Sequence, residues 1–204
     1  MKGYIMLIFC LLAGRLYAQQ LSYTPDLVAG HRSMTYMHNV HYHFNKKIKI
    51  NNLTLFDTEY SSDKRNIFFI RNNFSYNVFR NITLNAGFGM KNPGSFYTAS
   101  TQFRTAHPIY TFAYSVGATY QNGFTLEQSI VLEYYPFLTE KLQAYCNLLA
   151  IANINQKEYQ RGVQYIRLGL KENKMVYGLA FNADQFNNGK EILINAGGFI
   201  RYTF

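Results

Sequence analysis

The chain has 204 residues, of which 48% are hydrophobic, 17% aromatic and only 15% charged, with 18 Tyr, 17 Phe and no Trp. That balance is aromatic-rich and charge-poor for a soluble domain. No apolar run after Ala18 reaches the ~20 residues a membrane-spanning helix needs. The formal charge of +9 comes from 20 basic and 11 acidic residues. The basic residues are scattered singly through alternating segments, not gathered into a patch, which argues against a nucleic-acid partner.

The first residues, MKGYIMLIFCLLAGRLYAQQ, read as an export leader. Lys2 gives a positive start, Tyr4 to Ala13 an apolar stretch, and Leu16-Tyr17-Ala18 a cleavage box. Arg15 interrupts the stretch before it is long enough to span a bilayer. The expected organisation is a leader over residues 1–18 and a single exported domain over 19–204. Cys10 goes with the leader, so Cys146 is left without an intramolecular disulfide partner and reads as a small apolar side chain.

Leu21 to Gly30 is the weakest strand of the domain, because Pro25 deletes a ladder donor. From Ser33 the alternation is clear: Met34, Tyr36, His38, Val40, Tyr42 and Phe44 share one face, with Thr35, Met37, Asn39, His41 and His43 opposite. After a turn at Asn45-Lys46, the run from Lys47 to Tyr60 slips its pattern near Asn51-Asn52-Leu53, where a bulge is expected. Ser61 to Arg65 forms a loop. Asn66 to Phe79, Ile82 to Met90 and Phe96 to Ala106 follow, separated by turns at Arg80-Asn81 and Asn92-Pro93-Gly94.

Ile109 to Tyr120 sets Tyr110, Phe112, Tyr114 and Val116 against Thr111, Ala113, Ser115 and Gly117, and Asn122-Gly123 is a hairpin signature. Phe124 to Tyr135, the run around Leu142 to Ala150, Val163 to Lys171 and Met175 to Asp184 lead to the closing segment, Glu191 to Phe204. Ile154 to Gln160 reads as a longer polar loop. In the closing segment Ala196, Gly198, Ile200, Tyr202 and Phe204 share one face, and the pattern runs to the last residue.

This ending resembles the closing strand of outer-membrane β-barrels of Gram-negative bacteria, which finishes in Phe with an aromatic two residues before it. The resemblance implies that Phe204, Tyr202 and Ile200 form the signal read by the barrel-assembly machinery. It also implies that the outer membrane and its lipids are the chain's surroundings. The fold expected is all-β: an antiparallel up-and-down transmembrane β-barrel. Eleven strands are clear, and Leu21 to Gly30 makes twelve. The even strand number of single-chain bacterial barrels selects twelve, with ten the alternative. With Phe204 placed on the periplasmic side, the turns at Asn45, Arg80, His107, Pro136 and Asn173 fall there and are, on average, the tighter set.

In this register the candidate lumen residues are His41, His43, Arg71, Arg104, Glu127, Glu133, Arg167, Lys171, Asp184 and Arg201. A charge facing lipid at mid-depth costs about 2–4 kcal/mol for Arg or Lys, so their place on the polar face supports the register. His38 falls on the lipid-facing side, at mid-height or in an interface. His41 and His43, two apart on one face, could bind a metal, but no Cys or carboxylate stands at ligand spacing. They read as polar wall, and no metal or cofactor is expected. His31 with Ser33, and Ser129 between Glu127 and Glu133, form no recognisable nucleophile–base motif.

The function expected is therefore structural, or that of a narrow solute channel with a polar, basic-biased lumen. The alternatives are a membrane-embedded lipid-modifying enzyme and a soluble exported barrel that binds a small apolar ligand.

Overall fold

The computed structural model describes residues 20–155 and 159–204. The expected leader over residues 1–18 lies outside them, as does most of the connection after Ile154. Twelve strands follow one another: β1 (Gln20–Gly30), β2 (Ser33–His43), β3 (Ile48–Glu59), β4 (Ile67–Phe79), β5 (Ile82–Lys91), β6 (Gly94–His107), β7 (Tyr110–Tyr120), β8 (Phe124–Tyr134), β9 (Leu142–Ile154), β10 (Tyr159–Glu172), β11 (Met175–Phe186) and β12 (Glu191–Tyr202). Each pairs antiparallel with its sequence neighbours, and β1 pairs with β12 to close the barrel. Strand lengths run from 10 residues in β5 to 14 in β6 and β10, enough for a tilted strand to cross the hydrocarbon layer.

The alternation places the two faces. One set of alternate residues looks inward and is largely polar or small, with buried apolar residues such as Val28, Leu55 and Phe199 among them. The other is apolar and looks outward, with Phe88 60% and Leu179 70% exposed on well-separated parts of the wall. A soluble barrel reverses this arrangement, because an apolar exterior of such extent is stable only against lipid. Aromatics ring both ends of the exterior. Phe56, Tyr60, Tyr97, Tyr120 and Phe124 stand at one end, and Phe44, Phe79, Tyr110, Tyr134, Tyr202 and Phe204 at the end that carries the C-terminus.

Pro25 lies within β1 without breaking it. The Tyr23 carbonyl accepts from the Phe204 N–H at 2.9 Å, so the odd-numbered peptides of β1 turn towards β12. The donor that Pro25 lacks is thus missing from the closing seam, while the β1–β2 ladder continues from Gln20 to Ala29. The seam ladder itself runs only from Asp26↔Arg201 to Gly30↔Gly197. It is reinforced by two devices. Phe204 stacks on Tyr23, with ring centroids 5.6 Å apart. Asn195, fully buried, accepts from the backbone N–H groups of Arg32 and Ser33 at 3.0 and 3.2 Å and donates to the Ser33 carbonyl at 3.0 Å. Gly30 leaves the space that this amide occupies.

One expectation is corrected. The register between β2, β3 and β4 is continuous through Asn51, Asn52 and Leu53, with no bulge. The pattern slips there because Asn52 and Thr54 face outward on a regular strand. The irregularities lie instead at Asn77/Phe79 and Tyr159/Arg161. Connections at the terminus-bearing end are on average slightly the shorter, although each end carries one long connection, residues 60–66 at one and 135–141 at the other. The β7–β8 hairpin turns on Asn122 and Gly123, whose positive φ values of 57° and 141° suit these two residue types.

Candidate functional site: an eccentric lumen

Long inward side chains crowd one side of the interior. Inward residues of β9–β12 and of β1–β3 cross the lumen and bury one another. Arg167, 2% exposed, donates to the Asn182 side chain at 2.6 Å and to Asp26 at 3.5 Å, and lies over the Phe199 and Tyr165 rings. Asp26 also receives Arg201 at 2.8 Å. Arg201 in turn touches the Tyr145 hydroxyl and reaches Glu133 at 3.6 Å. Tyr165 donates to Asp184 at 2.8 Å, and Arg161 pairs with the same carboxylate at 2.9 Å. Leu55 and Ile67 from β3 and β4 meet Val163, Tyr165 and Leu193 from β10 and β12 in an apolar plug.

At the end away from the termini, Arg32 in the β1–β2 turn pairs with Asp57 and with Glu59, the latter at 3.1 Å. Burial alone would weaken the Arg32 charge. Its bonds to Glu59 and Asp57 outweigh that and raise its pKa above the ordinary guanidinium value.

The opposite wall is different. Several inward positions of β5–β8, set between longer ones such as Phe96, Gln102, Arg104, Glu127 and Glu133, carry short side chains or none: Asn85 and Gly87; Thr98 and Ser100; Ser115 and Gly117; Thr125 and Ser129. These eight are partly exposed, whereas Thr83, Thr111, Ala113 and Thr119 on the same wall are buried. In front of this wall Arg71 on β4 pairs with Glu127 on β8 at 3.0 Å, and Glu127 also accepts from Thr119 at 3.3 Å. The bar thus spans β5–β7 from one flank to the other. At one mouth Gly89 gives room for Phe96, 1% exposed, which stacks on Phe69 and carries Lys91 over its ring at 5.0 Å.

At the terminus-bearing end stand His41, His43, Lys49 and Arg104. Asn51 bonds the His41 ring at 3.1 Å, and Lys49, Arg104 and His43 lie within electrostatic reach of it. Lys171, on the same level, lies over the Tyr135 ring at 4.5 Å.

The pairing is uneven. The inward carboxylates Asp26, Asp57, Glu59, Glu127, Glu133 and Asp184 each have an arginine partner. Lys49, Lys91, Arg104 and Lys171 have no ion-pair partner among the described residues, so the residual charge of the passage is positive.

Arg71 with Glu127, and Arg201 with Glu133, are thus brought together, and Asp184 and Arg167 join the plug. Asp26, Asp57, Glu59, Arg32 and Arg161, which complete these pairs, were not singled out from sequence. The His31 ring meets the Ala196 N–H at 3.0 Å, while the Ser33 hydroxyl is buried without a hydrogen bond, so the two do not form a nucleophile–base pair. Among the described residues no three metal-ligating side chains gather.

No protein-family model matches the chain, and no curated protein matches it in sequence. Solved structures do. The chain is similar to the KdgM porin at 10% identity, covering 90% of this chain and 99% of that one with a TM-score of 0.55. It is also similar to the NanC porin at 9% identity, covering 91% and 99% with a TM-score of 0.55. A structure of the KdgM porin in complex with disordered oligogalacturonate aligns at 8% identity with the same TM-score of 0.55. The chain therefore has the fold of an outer-membrane β-barrel, a closed twelve-stranded one similar in fold to these structures.

Proposed function

We propose that the protein is a narrow outer-membrane channel for small anionic solutes, exported through a leader cleaved before Gln19, with both termini in the periplasm. The observation that carries this reading is the one-sided filling of the lumen. A plug of crossing side chains occupies one half, a wall of Gly, Ser, Thr and Asn lines the other, and the cations left without carboxylates are spaced along it. Lys91 stands at the outer mouth, the Arg71–Glu127 bar at the constriction, and Lys49, Arg104 and Lys171 at the periplasmic vestibule. Rings of unpaired cations favour anions at close quarters, where the low-dielectric wall focuses their field.

The fold shared with KdgM, and the oligogalacturonate in one of its structures, are in keeping with an acidic solute. In planar bilayers under a salt gradient, the reversal potential is expected on the anion-selective side and should move towards zero in a Lys49→Ala, Arg104→Ala double variant. Cation selectivity in the native chain would refute the reading.

A further inference from the structure

The outward face carries an imidazole midway along a strand, a group that does not belong against hydrocarbon. Midway along β2, His38 sits in a chain of hydrogen bonds that crosses four strands. The Tyr23 and Tyr36 hydroxyls are 2.8 Å apart, Tyr36 Oη is 3.0 Å from His38 Nδ1, and His38 Nε2 is 3.1 Å from Asn52 Oδ1. Thr54 donates to the same Asn52 oxygen at 3.0 Å, and the Asn52 amide donates to Asn72 Oδ1 at 2.9 Å. The directions follow from what each group can do. An amide oxygen only accepts, so Nε2 carries the His38 proton and Nδ1 accepts from Tyr36, whose oxygen accepts from Tyr23. The chain thus begins on β1 with the free lone pair of a hydroxyl. It ends on β4 with the Asn72 amide, which donates to no described residue. Other outward polar contacts between described residues, such as Tyr114 with Gln128, join side chains on adjacent strands.

We infer that this patch on β1–β4 is the contact surface for a second copy of the same chain. A polar, ionisable group at mid-depth facing lipid calls for a partner. Acyl chains offer no hydrogen bonds, and headgroups do not reach the middle of the bilayer. Copies of one chain insert in one orientation, so a twofold axis between them runs along the membrane normal and brings equal depths together. Each mid-height polar patch then meets its own kind. The same axis sets the β4 flank of one copy, with its spare donor, against the β1 flank of the other, with its spare acceptor. Val40, outward on β2 between Tyr23 and Asn52 in the register, then lies beside the axis, against β3 of the other copy and close to its own equivalent. This inference rests on the barrel spanning the membrane, but not on conduction.

The test uses intact outer membranes and a Cys146→Ala background, oxidised with copper-phenanthroline. Val40→Cys is expected to give a disulfide-linked product of twice the chain mass. Leu132→Cys, outward on the distant β8, should not. Adding Asn52→Leu and Asn72→Leu should reduce the Val40→Cys product to the Leu132→Cys level, with the heat-dependent gel shift of a folded barrel retained. If that variant does not fold, the Val40→Cys comparison alone decides. A product no stronger than the control, a product of any other mass, or crosslinking that persists in the folded leucine variant would each overturn the inference. Loss of the gel shift in the native chain would instead remove the membrane reading on which it stands.

Discussion

Replacing Asp26 by Ala removes the one carboxylate that two guanidiniums share at the heart of the plug. Asp26 and Arg167 are each 2% exposed, and Arg201 approaches the same carboxylate at 2.8 Å. Removing one member of a buried ion pair costs about 3–5 kcal/mol, because the charge left behind has no counterion. Arg201 keeps Glu133 at 3.6 Å, and Arg167 keeps the Asn182 amide, so the lower end applies. About 3 kcal/mol is roughly a hundredfold in the folding equilibrium, at ~1.4 kcal/mol per factor of ten. Urea titration in detergent micelles, read by the mobility of unboiled samples, should show a clear drop in midpoint for Asp26→Ala. Asp26→Asn, which still offers an acceptor, should show a smaller one. Asp63→Ala, in the exposed connection after β3, should stay within about 0.5 kcal/mol of the native chain. An unchanged Asp26→Ala midpoint would show that the crossing charges do not hold the plug, and the one-sided lumen would lose its physical basis.

Three other outcomes follow from the same geometry. Asn195→Ala removes three hydrogen bonds that clasp the β1–β2 turn to β12, and should cost about 1–3 kcal/mol in the same titration. Deleting Phe204 removes its backbone bond and ring stack on Tyr23 at a seam that is already short. The yield of folded barrel in the outer membrane should fall, which fractionation followed by unboiled gels would measure. Arg71→Ala opens the bar across the constriction and leaves Glu127 unpaired. Single-channel conductance should rise and anion selectivity weaken, whereas a conductance equal to the native value would place the constriction elsewhere.

Much of the barrel was legible in the sequence because the side-chain period of a strand is two, and the two faces differ in chemistry. Tyr110 to Val116 against Thr111 to Gly117 needs nothing beyond that rule, and neither does the run to Phe204. The places where it faltered are informative. Pro25 obscured β1, and with it Asp26, since a missing donor cannot be assigned to seam or ladder until the closing partner is known. Asn51-Asn52-Leu53 read as a bulge because an outward Asn looks like a change of phase. Its cause is the lateral chain through His38 and Asn72, which joins residues on separate strands.

The lumen pairs lay deeper. Alternation assigns Arg71 and Glu127 to the same face, but it is silent on whether residues 56 apart stand at the same height across the barrel. Height depends on strand tilt and stagger, which are properties of the closed barrel and not of any one strand. For the same reason the split between a filled half and an open half had no signature in the sequence beyond the run of short residues on β5–β8.

The most direct test of that split is cysteine accessibility read as current. In a Cys146→Ala background, single cysteines at Ser100, Ser115 and Ser129 sample the open wall. Cysteines at Thr35, Asn182 and Asn195 sample the plug. A water-soluble, charged thiol reagent added to channels in a planar bilayer should react at the first three and reduce the current stepwise, while leaving the last three unmodified. Reaction at Thr35 or Asn182 with no effect at Ser115 would put the passage on the other side of the barrel. No current before the reagent is added would mean that the barrel is closed.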